Sequence, residues 1–169
     1  MTSGELWNEL QVSLPKGMTI LGVILCSNKT HLTNFSGDKS VHAVYVMLGN
    51  IMSSIQRKVS EGAWIMLAKI PTSKFPKTAF PTKIEEERMP GILQRQLLHR
   101  CMRIVLEPMR TYDRDLSLSP CMVVDADSNT HHCITILLTW IADLKQQYDI
   151  AALAPNSCPS CLVTYGDLG

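Results

Sequence analysis

Three apolar runs of strand length succeed one another in the first seventy residues, and they constrain the fold more than any other feature. Met18–Cys26 (MTILGVILC) is continuous and largely aliphatic, the pattern of a strand buried on both faces. Val41–Leu48 (VHAVYVML) and Ala63–Ile70 (AWIMLAKI) repeat it, ended by Gly49-Asn50 and by Pro71. The segments between them, HLTNFSGDKS with its Gly37-Asp38 turn and SSIQRKVSEG, are short and polar. Strands joined this closely predict a three-stranded antiparallel meander.

The proline-rich stretch PTSKFPKTAFPTK then interrupts regular structure. From Pro90 to about Met109 the pattern turns helical, with Leu93, Leu97, Cys101 and Ile104 at three- and four-residue spacing. Pro90 suits the first helical turn, and Pro108 kinks or ends the helix. CMVVDADSNTHHCITILLTWIADL predicts a short strand, a turn at Asp127-Ser128-Asn129 and a long apolar strand that runs out at Asp143. A helix over LKQQYDIAALA and a turn-rich tail follow. The order is three strands, a helix, and a further strand ending in an Asp. Ribonuclease-H-like folds begin this way, with carboxylates brought together at the ends of their first and fourth strands. It is one candidate among several α/β folds.

Composition sets the outer bounds. The 169 residues are 46% hydrophobic and 18% charged, enough apolar material for one domain with a core. A net charge of +1 gives no global attraction to nucleic acid or an acidic membrane, so any nucleic-acid role needs a local patch. No secretory leader is evident at the N-terminus, and no run reaches the roughly 18 apolar residues of a membrane span. Cys26, Cys101, Cys121 and Cys133 stand singly in apolar segments, as reduced cysteines do. An intracellular, reducing compartment is therefore expected.

Several residue groups invite a chemical role. Asn28, in CSNKTHLT, follows the first strand run where a metal-binding carboxylate would be apt; an Asn offers only a neutral oxygen to a hard ion such as Mg²⁺. The commoner role of an Asn after a strand is to turn the chain. Asp143 is either a helix N-cap or a catalytic carboxylate, and can be both only if one oxygen stays free. Cys158-Pro-Ser-Cys161 can grip a zinc ion, but a closed site needs four ligands. Its place in a terminal loop argues for zinc over redox chemistry, with two unligated thiols as the alternative. His131 and His132 point to opposite faces of a strand and read as exposed hairpin histidines. Six of the seven arginines lie between Arg88 and Arg114. On a helix, Arg95, His99, Arg100 and Arg103 share a side, first of all a solvated face and alternatively a phosphate-contacting one.

Taken together, these segments resemble the catalytic core of Plavaka-type transposases, DDE enzymes of fungal DNA transposons related to the CACTA-like elements. The family pattern of Asp-Lys-Thr, Gly-Asp-Lys, Tyr-Pro-x-Tyr and Ile-Gly-Asn has counterparts in Asn28-Lys29-Thr30, Gly37-Asp38-Lys39, Val44-Tyr45-Val46 and Leu48-Gly49-Asn50-Ile51. IQRKVSEGAWIMLAKIP, RQLLHRCMRIVLEPM, WIADLKQQ and CPSCLV resemble later family segments in order, so the likeness covers about Trp7 to Leu162.

The resemblance implies a ribonuclease-H-like core that uses Mg²⁺ to cleave and transfer DNA strands at transposon ends, in the nucleus and within a larger assembly. Position 28 would carry the first catalytic carboxylate and Asp143 the second. The helix face of Arg95, Arg100 and Arg103, read from its pattern, is the DNA contact of a non-catalytic alternative. Residues 1–17 would be a lead-in, 18–154 a partial core, and 155–169 the start of a zinc-binding insertion holding Cys158 and Cys161. The chain departs from the pattern at Asn28, at Lys145-Gln146 where Pro-Glu is expected, and in lacking a later third acidic residue. A core incomplete at its C-terminus and inactive in cleavage is the expectation. The alternative is a non-catalytic DNA-binding or zinc-binding module.

Overall fold

The computed structural model describes residues 4–32, 40–72, 75, 79–109, 121–153 and 158. In chain order it contains α1 (Glu5–Ser13), β1 (Met18–His31), β2 (Ser40–Leu48), the short α2 (Ser53–Gln56), a 3₁₀ turn at Val59–Glu61, β3 (Ile65–Ile70), α3 (Lys83–Val105), β4 (Cys121–Val124), β5 (Thr130–Ile141) and α4 (Leu144–Ala151). The strands form one five-stranded sheet in the order β3-β2-β1-β5-β4. β1 and β5 run parallel and β4 and β5 antiparallel, so the sheet is mixed and the fold is α/β. The first three strands lie side by side in chain order.

Three sequence expectations change. β1 continues through the polar residues to His31, so Asn28 lies inside a strand and is not the turn residue that its type suggested. α3 begins about two turns before Pro90, at Lys83, and encloses that proline. The reason is a capping box. Thr82 Oγ1 accepts from the Glu85 N–H at 3.3 Å, and Glu85 Oε2 accepts from the Thr82 N–H at 3.1 Å. The reciprocal cap starts the helix early, and the missing N–H of Pro90 costs it one bond, to the Glu86 carbonyl. The apolar stripe is also rotated from the expected one. Leu98 and Met102 are the buried residues of α3, whereas Ile104 is 69% exposed.

The chain divides into two compact units. The first comprises Met1–Cys26, Val44–Leu67 and Val105–Ile141. Its core holds Ile20, Val23, Ile24, Leu25, Val44, Met47 and Cys133. The register of β1 on β5 slips between Val23, opposite Leu137, and Ile24, opposite Thr139. Leu138 is the extra residue of that bulge. A Cβ on Gly22 would fall 2.9 Å from Trp7 Cζ3 and closer still to Leu138 Cδ1, so any larger residue there must push these two side chains aside. The second unit comprises Ser27–Ala43, Ala68–Ile104 and Ala142–Gly169. It buries Ala43, Ile70, Leu98 and Met102, and with them the polar Ser27, His42 and Gln146.

Candidate functional site

A cleft of about 260 Å³ opens in the second unit beside the start of α4. Asp143 stands at its edge with extended backbone, and its Oδ1 accepts from the Gln146 N–H at 2.7 Å. It is thus the N-cap of α4, as one of its two sequence readings required. Its Oδ2 has no hydrogen-bond partner among the described residues. Gln146, one turn into the helix, is only 6% exposed. One end of its side-chain amide meets His42 Nε2 on β2, and the other end, the Oε1 carbonyl, is buried without a partner among the described residues.

Lys29 from β1, Arg95 from α3, and Lys145 and Asp149 from α4 complete the charged lining. The Arg95 Nε–Asp149 Oδ1 pair is 3.1 Å long and partly exposed, and the His99 ring bonds the Asp149 carbonyl at 2.8 Å. Burial pushes the His42 pKa below its ordinary value, and the charge of Lys29 pushes the same way; Asp143 and Asp149 oppose them. His42 is therefore held toward its neutral form.

Asn28 does not line this cleft. Alternation along β1 explains why. Residues i and i+2 share a strand face, so Asn28 sits with Thr30, whose Oγ1 accepts from Asn28 Nδ2 at 3.2 Å, and Lys29 takes the opposite face. The backbone nevertheless brings positions 28 and 143 to matching places. Cys26 and Ile141 are the last register partners of the parallel β1–β5 pair, and Asn28 and Asp143 each follow two residues later.

Arg95, Arg100 and Arg103 share one exposed face of α3 and line an open groove of about 610 Å³ together with His99. Arg95 also borders the cleft and is committed to Asp149, whereas Arg100 and Arg103 have no ion pair among the described residues. Cys158 is half-buried, and Cys161 lies outside the described residues, as do Gly37-Asp38-Lys39. The hairpin histidines are exposed as expected. His131 Nε2 lies 2.8 Å from Asp125 Oδ2, and this bond, with backbone N–H donors, lowers the Asp125 pKa to about 2.

The resemblance implies Mg²⁺, an ion that takes about six oxygen ligands, usually with one or two carboxylates. The described cleft residues offer two carboxylates, Asp143 with one oxygen on the α4 cap and Asp149 with one on Arg95, against the three cations Lys29, Lys145 and Arg95. This lining does not fit a divalent cation. Among the described residues no three His, Cys, Asp or Glu side chains are grouped for a metal, around Cys158 or elsewhere. No described helix is long and apolar enough to cross a membrane.

Sequence reasoning missed Lys29, His42, Lys145 and Gln146 as members of one site. The alternation of β1 pointed to Lys29 rather than Asn28, and a His inside the apolar run of β2 was a signal for a buried polar contact. No curated protein and no solved structure matches the chain. The family model described as Plavaka transposase matches residues 1–169. The motifs around Asn28, Gly49-Asn50 and Asp143 and this match over the whole length agree: the chain belongs to the Plavaka transposase family.

Proposed function

We propose that the chain is a transposase derivative with a ribonuclease-H-like core that no longer cleaves DNA and that contacts DNA through Arg95, Arg100 and Arg103. The core assignment is supported by the parallel β1–β5 pair at the centre of the sheet and by the equal offset of Asn28 and Asp143 from the last register pair. β5 then stands for the fourth strand of that fold, with β4 as an added hairpin arm. The observation that carries the loss of cleavage is the state of the two catalytic positions. Position 28 has no carboxylate and bonds Thr30, and Asp143 spends one oxygen on the cap of α4. Two-metal phosphoryl transfer depends on the charge that such carboxylates supply.

The arginine face supplies the DNA contact, since guanidinium groups pair with phosphates and the groove between them is open. DNA of the transposon-end class, a nuclear location and a larger transposase assembly belong to the same reading. The test has two arms. Supercoiled plasmid with Mg²⁺ or Mn²⁺ should stay intact; nicking that disappears in Asp143→Ala would refute the loss of cleavage. A gel shift should weaken as salt rises and weaken further in Arg100→Glu and Arg103→Glu. A shift indifferent to both substitutions would refute the arginine face.

A further inference from the structure

The cleft beside α4 has a lining suited to an anion. Lys29, Arg95 and Lys145 face Asp143 and Asp149 there, and Arg95 and Asp149 satisfy one another. What is left is two lysines against one carboxylate that is already engaged in a cap. Neither the Lys29 nor the Lys145 ammonium group has an ion pair or hydrogen bond among the described residues. The first turn of α4 adds the positive end of a helix dipole.

A second observation points to a ligand. Gln146 is 94% buried by its 6% exposure, lines the cleft, and leaves one end of its amide unpartnered among the described residues. A buried amide end without a partner is costly unless something fills it. The two ends of the amide exchange places by a half-turn of the last side-chain bond. Neutral His42 can follow that turn, because one of its tautomers accepts at Nε2 and the other donates there. With His42 donating to Oε1, the Gln146 NH₂ takes the buried, unpartnered end of the amide and offers a donor there.

We propose that this cleft binds a phosphate ester directly, without a metal ion, through Lys29, Lys145 and the Gln146 amide. The cleft volume suits a nucleotide-sized group rather than a large ligand. That the phosphate belongs to a nucleotide rests on the DNA-contacting function proposed above; the affinity for the oxyanion does not.

Thymidine 5′-monophosphate is titrated into the full chain in EDTA, with ¹H–¹⁵N spectra as readout. Saturable shifts are expected at the Lys145 amide and the Gln146 side chain. Lys29→Ala and Lys145→Ala should each weaken binding about tenfold, as loss of a charged hydrogen bond does. Asp143→Asn, which keeps a good N-cap, should tighten binding because it removes the opposing charge. Saturation that requires Mg²⁺, equal binding of thymidine without its phosphate, or loss of binding in Asp143→Asn would each overturn the proposal. Arg100→Glu and Arg103→Glu separate the two ideas. They should weaken the gel shift and leave the mononucleotide titration unchanged, so either site can fail alone.

Discussion

Asn50 holds Ile20 and Gly22 with the two ends of one side-chain amide. Its Oδ1 accepts from the Gly22 N–H at 3.0 Å, and its Nδ2 donates to the Ile20 carbonyl at 2.7 Å. The adjoining Gly49 N–H closes on the Gly22 carbonyl at 2.6 Å. The amide thus imitates a short piece of strand and prolongs the pairing of β1 beyond the end of β2. The Leu48-Gly49-Asn50-Ile51 motif, which the sequence offers only as a turn and a family mark, is a clamp on the central strand of the first unit.

Asn50→Ala should cost about 1–3 kcal/mol, because it strands a donor and an acceptor on β1. Asn50→Asp keeps the acceptor for Gly22 but loses the donor to Ile20, and sets a charged oxygen against that carbonyl. It should cost at least as much at neutral pH. Urea unfolding midpoints compare the three proteins, and an Asp variant as stable as the parent would refute the two-ended clamp.

Gly22→Ala should destabilise the first unit by about 1–3 kcal/mol through overpacking. Its new methyl group would meet Leu138 and Trp7 at less than contact distance. Leu138→Ala removes the nearer obstacle. The double variant should therefore lose less than the sum of its two single changes, and a double-mutant cycle measures the difference. Simple additivity would mean that the bulge at Leu138 does not press on Gly22.

Some of this was legible in the sequence and some was not, for reasons that differ by element. β2 and β3 announced themselves because apolar runs bounded by Gly or Pro have few alternatives. β1 outlasts its signal, since its last residues, Asn28 to His31, are polar and propensity says nothing of a strand that outruns its apolar core. The start of α3 is masked in the sequence because Pro90 is a louder signal than Thr82 and Glu85, which act only as a pair. The cleft was least legible. Asn28 drew attention by its type, but side-chain alternation hands the cleft to Lys29, and the contact of His42 with Gln146 joins residues far apart in the chain.

Thr82→Ala should remove the capping box and cost about 1 kcal/mol. The loss belongs to the first turn of α3, so amide exchange should speed up at Glu85 and Glu86, whose N–H groups both bond Thr82, and leave the turn around Leu98 protected. Pro90 makes the test sharper, because it already deprives that end of the helix of one bond. If the cap is what draws the helix forward to Lys83, the variant's helix should begin nearer Pro90. Unchanged protection at Glu85 and Glu86 would show that the first turns are held by something else.

His42 should impose a pH dependence whose sign follows from its environment. Its pKa in the folded chain lies below the ordinary 6.5, from burial first and from Lys29 second. Below about pH 6.5 the unfolded chain therefore takes up a proton that the folded chain refuses. Stability should fall as the pH drops from there toward the lowered folded pKa, and the His42 contribution should flatten below it. The imidazole Cε1–H signal of His42 should titrate with a midpoint under 6.5. Lys29→Ala should raise that midpoint by removing a repelling charge, and Asp143→Asn should lower it by removing an attracting one, since Asp143 pulls the pKa upward. Opposite movements in the two variants would place both charges around the buried imidazole. A midpoint at or above 6.5, or one indifferent to Lys29, would mean that His42 is not enclosed beside the cleft as described.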